Sequence, residues 1–309
     1  METGAHCRGG KNIAWQVVYG FLLLLILLPL LSQAAPAMVG EDSPGKQLLV
    51  ENSWLQKHLG DEDVVVVDVR TPEIYRQDHI PQAVNIPTDA TYQPKEHADR
   101  LGSMRQIEDL LSHAGIDQKT NVILYDNGTF IDAGRAFWVF EVYGHQRVAV
   151  LDGGFRGWEQ AGYKHDSIIV MPKPKKFIAS IQPERLATRL HVRLAIDDKK
   201  KILIDARPST EYLGNKSQSL QYGHIPKAIN VPWDQNIKRV NGVVKSKTLA
   251  ELRDVYNGFG EDKQIITYCN KGRQSSVSYF ELRRLGRNVS HYDGSWFEWG
   301  NSIDLPVEK

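Results

Sequence analysis

The chain has 309 residues, 41% of them hydrophobic and 24% charged, with 38 Lys plus Arg against 37 Asp plus Glu. At roughly 150 residues per domain that is enough for about two globular domains, each able to bury its own core. So even a charge balance excludes a basic nucleic-acid-binding surface spread over the molecule, and any attraction for an anionic ligand has to be local.

The first element stands apart. Arg8 and Lys11 precede an apolar run from Val17 to Leu31, and the small residues Ser32-Gln33-Ala34-Ala35-Pro36-Ala37 follow. That order predicts a cleavable secretory signal over 1–34, cut after Ala34 or after Ala37. A retained membrane anchor is the competing reading. The run falls short of the ~20 residues of a spanning helix, and Pro29 with the small-residue exit favours cleavage. No Cys stands at the junction, so lipoprotein processing is not expected. The expectation is a periplasmic or secreted protein with no stable membrane anchor after processing. Cleavage removes Cys7 and leaves Cys269 as the only thiol. No internal disulfide can then form, and a lone thiol is either buried and inert or kept for chemistry.

From Gln47 the chain reads twice through one pattern. Val64-Val-Val-Val67 is a strand-like run that ends in Asp68-Val69-Arg70, and His79-Ile80-Pro81 through Ile86-Pro87 follows. Ser103 to His113 has helical spacing, with Met104, Ile107, Leu110 and Leu111 on one face. Val122 to Tyr125 and Val148 to Leu151 read as buried strands, the second leading into Leu151-Asp152-Gly153-Gly154-Phe155-Arg156-Gly157-Trp158. Then Met171-Pro-Lys-Pro-Lys-Lys176 breaks the pattern. Its prolines deny it a regular element and its charge keeps it solvated, so 166–177 is expected to be a linker.

The second pass repeats these landmarks in order: Ile202-Leu-Ile204 with Asp205-Ala206-Arg207, His224-Ile225-Pro226 through Val231-Pro232, a helical stretch over Thr248 to Val255, Ile265 to Tyr268, and Tyr292-Asp293-Gly294-Ser295-Trp296-Phe297-Glu298-Trp299. The spacing between the Asp-x-Arg and the His-Ile-Pro is eight residues longer in the second copy, near Leu213 to Tyr222. Four landmarks in one order point to a duplication. Strands alternating with helices imply an α/β fold, two tandem domains, each a small parallel sheet flanked by helices. The first spans 47–165 and the second 178–309.

Cys269 follows the apolar strand Ile265 to Tyr268 and opens Asn270-Lys271-Gly272-Arg273-Gln274-Ser275-Ser276, with a helix expected from Val277. This places the thiol at the carboxyl end of a parallel strand, the edge where ligands bind. A turn that wraps into a helix points its amides inward as an anion cradle, and the helix N-terminus adds positive partial charge. Lys271 and Arg273 add full charges, which favours the nucleophilic thiolate. Gly272 permits a tight loop. The same cradle suits a persulfide. A buried structural Cys is the alternative, but the polar residues after it imply an exposed loop. No general base accompanies Cys269, which suits attack on a ready-made sulfane sulfur. A Cys-x5-Arg phosphatase loop does not fit, because Ser275 stands where that Arg would be and Arg273 falls two residues early.

On these motifs the chain, from about Gln47 to Leu305, resembles the tandem rhodanese family of thiosulfate and 3-mercaptopyruvate sulfurtransferases. The Asp-x-Arg, both His-Ile-Pro segments and the two Asp-Gly segments carry the resemblance. It implies a catalytic second domain with Cys269 as the persulfide nucleophile and an inactive first domain, where Asp126 replaces the Cys. It also implies that Arg207 binds the substrate anion. The loop matches neither main branch: Lys271 corresponds to the basic residue of the thiosulfate branch, and Asn270-Lys-Gly272-Arg-Gln274-Ser is similar to short periplasmic rhodaneses. The expected reaction is transfer of sulfane sulfur from thiosulfate, a small anionic donor, to a thiophilic acceptor, cyanide or a thiol. Arg207, Lys271 and Arg273 handle the anion, and Asn270, Gly272, Gln274 and Ser275 form the persulfide loop. No cofactor, metal or nucleic-acid partner is expected. Two readings compete: 3-mercaptopyruvate as donor, and a persulfide carrier that docks on a partner protein and turns over poorly alone.

Arg207 could instead pair with Asp205 or Glu211. Arg70 holds the same place in the silent copy and is read as structural. His79 and His224, present in both copies without metal-ligand spacing, are read as structural too. Trp158 and Trp299 are read as core, as is Trp296, and Trp233 is a weaker candidate for the pocket wall.

Overall fold

The structure, a computed structural model, describes residues 47–93 and 100–309, all within one compact unit. The expected signal over 1–34, and Cys7 with it, lies outside the described residues. Among the described residues no helix is long and apolar enough to cross a membrane.

In the first half the elements run β1 (Leu49–Val50), α1 (Asn52–His58), β2 (Val64–Asp68), α2 (Pro72–Gln77), β3 (Val84–Asn85), α3 (Met104–His113), β4 (Asn121–Tyr125), α4 (Ile131–Val142), β5 (Val148–Leu151) and α5 (Gly154–Gln160). The second half follows with β6 (Leu186–Ala187), α6 (Arg189–Ala195), β7 (Lys201–Asp205), α7 (Ser209–Tyr212), β8 (Ile229–Asn230), β9 (Ile237–Val240), β10 (Val243–Ser246), α8 (Leu249–Val255), β11 (Gln264–Tyr268), α9 (Ser275–Arg284), β12 (Val289–Tyr292) and α10 (Ser295–Trp299). Each half builds a five-stranded, wholly parallel sheet, ordered β1-β5-β4-β2-β3 and β6-β12-β11-β7-β8. The two orders superpose strand for strand, as a duplication requires. Asp68 pairs with Tyr125 and Asp205 with Tyr268 in the same register. Both faces of each sheet are covered, which is why the central strands carry continuous β-branched runs.

The sequence expectations for the strands hold to within a residue. Ser103 and Thr248 are N-caps, their hydroxyls accepting from Gln106 and Glu251 amides. On α3, Ile107 and Leu111 are buried while Met104 is exposed. The helix after Cys269 begins at Ser275, two residues earlier than Val277, because Gln274 already has helical angles. The hairpin β9–β10 matches the isolated antiparallel pairing of Tyr92 with Leu101 in the first half, at the same offset of 145 that relates the His-Ile-Pro segments. It bridges to the first half, with the Ser246 amide donating to Asp152 Oδ1 at 3.0 Å.

The segment 167–182 carries no regular element, yet it is strapped to the first half rather than merely solvated. The Lys175 amide donates to the Ser112 carbonyl, and Phe177 is buried. The largest apolar cluster runs through both halves. At its centre α4 packs on α9, with Phe137 edge-on to Phe280 at 5.0 Å between centroids. A Cβ on Gly134 would lie 3.3 Å from the Ser276 carbonyl, so glycine lets α4 approach the start of α9 closely.

Glu281 of α9 is wholly buried. It accepts from Ser246 Oγ at 2.6 Å and pairs with Arg284 at 2.6 Å. Burial nevertheless pushes its carboxyl up to about 7. A carboxyl raised in the folded state favours folding in its protonated form. That contribution is complete below about pH 4.5 and is lost as pH rises through 7, a change of about 3 kcal/mol. The melting temperature of the protein should therefore fall between pH 5 and pH 8. Thermal melts of Glu281→Gln should show a flatter profile over that range, and an identical slope in both proteins would contradict this assignment.

Candidate active site

Cys269 is the residue after β11, and its backbone is fixed from the neighbouring turn into α10. Its amide donates to Ser295 Oγ at 3.2 Å, and its carbonyl accepts from Trp296 at 2.9 Å. The Asn270 carbonyl accepts from Phe297 at 2.9 Å. Ser295 has φ +50°, a left-handed angle uncommon for a residue with a side chain. Its counterpart in the first half is Gly154, φ +56°. Only the half with the thiol places a hydroxyl there.

The thiol itself is buried, 1% exposed, whereas the loop after it is exposed only in part. Lys271 is exposed, Asn270, Arg273 and Gln274 are half-buried, and Gly272, Ser275 and Ser276 are buried. Among the described residues the amides of Asn270, Gly272, Arg273, Gln274 and Ser275 donate to no protein acceptor. Gly272 and Ser275 are buried, and buried donors left in this state are costly unless something accepts from them.

The first half shows what accepts. Asp126, the counterpart of Cys269, turns its carboxylate back into the equivalent loop. Oδ1 accepts from the amides of Gly128 at 2.7 Å and Thr129 at 3.0 Å. Oδ2 accepts from Thr129 Oγ1 at 2.9 Å and from the amides of Asp132 at 3.3 Å and Ala133 at 3.4 Å. The second loop is one residue shorter, since α4 and α9 end in register at an offset of 142 rather than 143, and on that register the Asp132 and Ala133 amides correspond to those of Gln274 and Ser275. One half fills its anion cradle with a fixed carboxylate. The other has a thiol, Cys269, at the head of a similar loop.

The remaining expected site residues divide. Gly272 has φ +79°, and a Cβ there would meet Asp293 O, His291 and Arg135 at 3.1–3.2 Å. Ser275 Oγ shares a hydrogen bond of 2.8 Å with His291 Nε2. Burial, and then the charge of Arg135, hold His291 well below its ordinary range, so it is neutral. Asn270 Nδ2 donates to Glu211 Oε2 at 2.7 Å. Gln274 lies at the helix entrance, its carbonyl accepting from Val277. Lys271 Nζ lies 5.5 Å from the centre of the Phe297 ring, which is half exposed. Arg273 is ion-paired with Asp132 of the first half. Burial works to lower its pKa, but the carboxylate prevails and raises it.

Arg207 needs correction. It is wholly buried, its Nε and Nη2 locked on Asp205 and its Nη2 also donating to the Gly223 carbonyl at 2.8 Å. The guanidinium lies over Trp296 at 4.3 Å. Arg70 repeats this arrangement with Asp68, the Asp78 carbonyl and Phe155 in the half that lacks a thiol. The geometry therefore gives Arg207 a structural place at a strand end, with no surface offered to an anion. His79 and His224 are buried and stacked on Tyr75 and Tyr212. Trp158, Trp296 and Trp299 are core, and Trp233 packs against the shared cluster. Among the described residues no cluster of His, Cys, Asp or Glu could hold a metal ion.

Sequence reasoning missed Ser295, Glu211, Asp132, Arg135 and His291. Ser295 was open to discovery, since it replaces a glycine at an aligned position. The others touch the loop only through the folding of distant segments.

The rhodanese-like domain pattern matches twice, at residues 51–161 and 189–302. A Mycobacterium bovis protein with the provisional name thiosulfate sulfurtransferase 1 is 36% identical, over 84% of this chain and 97% of that protein. The 3-mercaptopyruvate sulfurtransferase of Escherichia coli K12 is 31% identical, over 82% and 95%. The crystal structure of the E. coli 3-mercaptopyruvate sulfotransferase matches with a TM-score of 0.72 at 29% identity, covering 81% of this chain and 99% of that one.

Replacing Gly272 by alanine should cost about 1–2 kcal/mol, from the left-handed backbone and from the contacts its Cβ makes. It should also lower turnover by displacing the loop. A variant with unchanged melting temperature and unchanged sulfur transfer would contradict the tight-loop account.

Proposed function

The chain belongs to the rhodanese family and is a sulfurtransferase with two rhodanese-like domains, and from this premise we propose that its donor is thiosulfate. The Cys269 thiolate attacks the outer sulfur of thiosulfate. The S–S bond of the donor breaks, sulfite leaves with the electron pair, and a Cys269 persulfide remains. Cyanide or a thiol then attacks the outer sulfur and restores the thiolate. No electrons are gained or lost overall, so no redox cofactor is required.

The observation that carries this reading is the Asp126 carboxylate in the amide cradle of the first half. The loop of the second half presents backbone amides in the same place, those of Gln274 and Ser275 matching Asp132 and Ala133, with a nucleophile in place of the anion. Preorganised amides stabilise charge where it develops, without reorganisation. Thiosulfate as donor is supported by Lys271, an exposed cation on the loop. Arg273 adds charge, partly spent on Asp132, and Arg207 is withdrawn to Asp205. We also propose that residues 1–34 direct export to the periplasm or beyond, on the strength of their charge and apolar pattern.

Release of thiocyanate should be compared with thiosulfate plus cyanide and with 3-mercaptopyruvate plus cyanide. Higher kcat/KM with thiosulfate is expected. Preference for mercaptopyruvate would overturn the donor assignment and keep Cys269. Lys271→Ala should raise KM for thiosulfate roughly fivefold to tenfold with kcat within about twofold, the mark of lost uniform binding. An unchanged KM would return Lys271 to solvent.

A further inference from the structure

We infer that the half without a thiol positions the catalytic loop through two charged residues of α4, Arg135 and Asp132. This inference rests on the sulfur-transfer reading of Cys269 and adds residues that touch no reacting atom.

Arg135 is wholly buried, although it is charged. Its Nη1 donates to Asp293 Oδ1 at 2.7 Å and reaches the Gly272 carbonyl at 3.5 Å. Asp293 Oδ2 in turn accepts from the Leu101 amide at 2.8 Å, tying the loop's neighbour back to the first half. The guanidinium also lies over Trp138 at 4.4 Å and Tyr92 at 5.2 Å. The helices α4 and α9 end in register at an offset of 142, which places Val277 at the corresponding position, so the fold of one half does not itself require an Arg there. Burying an arginine is expensive, and a single carboxylate does not make such a site an efficient source of stability.

What Arg135 faces is the one loop residue with a left-handed backbone. The Gly272 carbonyl is held from two sides, by Arg135 and by Ser276 Oγ at 2.7 Å. A peptide is planar and trans, so fixing that carbonyl turns the Arg273 N–H to the opposite side. Asp132, one helical turn before Arg135, takes the Arg273 side chain. Between them Gly134 brings α4 against the start of α9. Both ends of the Gly272–Arg273 peptide are thus anchored in the first half. A misplacement of about 1 Å in such a frame costs on the order of a hundredfold in rate.

The test uses the full chain carrying Arg135→Gln, Arg135→Lys or Asp132→Asn, assayed with thiosulfate and cyanide well below each melting temperature. Arg135→Gln is expected to lower kcat roughly tenfold or more with KM for thiosulfate within about twofold, and Arg135→Lys to recover part of the loss. Asp132→Asn, at a partly exposed position, should show the same loss confined to kcat. The pH profile of Cys269 alkylation by iodoacetamide should move to higher pH in Arg135→Gln, a readout independent of the donor. A folded Arg135→Gln with wild-type kcat and alkylation profile overturns the inference, as does a loss confined to melting temperature. Should Arg135→Gln not fold, unchanged kcat in Asp132→Asn overturns it. Wild-type protein inactive with both donors would count against the sulfurtransferase reading instead, and the alkylation profiles would still decide the role of Arg135.

Discussion

Backbone amides at the end of a parallel strand, where the chain turns into a helix, must find an acceptor. In this protein the constraint occurs twice. Asp126 answers it permanently in the first half, with a carboxylate that accepts five hydrogen bonds. Cys269 answers it conditionally in the second, where the cradle is completed when the sulfur is anionic or carries another sulfur. The duplication supplied two copies of one loop, which now differ at Asp126 against Cys269, at Gly154 against Ser295 and by one residue in length.

The rest of the architecture serves the second cradle. The sheet brings Cys269 to the carboxyl edge of β11, and Ser295 at an unfavourable backbone angle holds its amide. The two halves share one apolar core, with α4 and α9 in contact at its centre. The loop between Cys269 and α9 is therefore bounded by its own domain on one side and by the first half on the other. The half without a thiol thus touches the Cys269 loop directly, through Asp132 and Arg135.

Much of this was legible in the residues. The repeated Asp-x-Arg and His-Ile-Pro segments revealed the duplication, and the β-branched runs revealed the parallel sheets. Cys269 stands out in the sequence as the candidate nucleophile by its place between an apolar strand and a Gly-containing polar turn, and the structure places it at the strand end as expected. Three features were not legible, each for a physical reason. Polar neighbours suggested an exposed loop, but the thiol at its head is buried and the loop only partly exposed. Arg207 looked like an anion binder, whereas the same Arg–Asp pair with an aromatic beneath it recurs at Arg70, where no thiol stands. The contacts of Asp132, Arg135 and Glu211 with the loop join residues separated by about 60 positions or more, and no local pattern records such pairs.

The central claim is that Cys269 carries the transferred sulfur. The most direct measurement is the intact mass of the protein after incubation with thiosulfate and removal of small molecules, followed by peptide mapping and then treatment with cyanide. The account predicts a gain of one sulfur atom located on Cys269, discharged by cyanide as stoichiometric thiocyanate and absent from Cys269→Ser. A protein that forms thiocyanate without ever acquiring sulfur at Cys269, or that transfers it equally well as Cys269→Ser, would contradict the account.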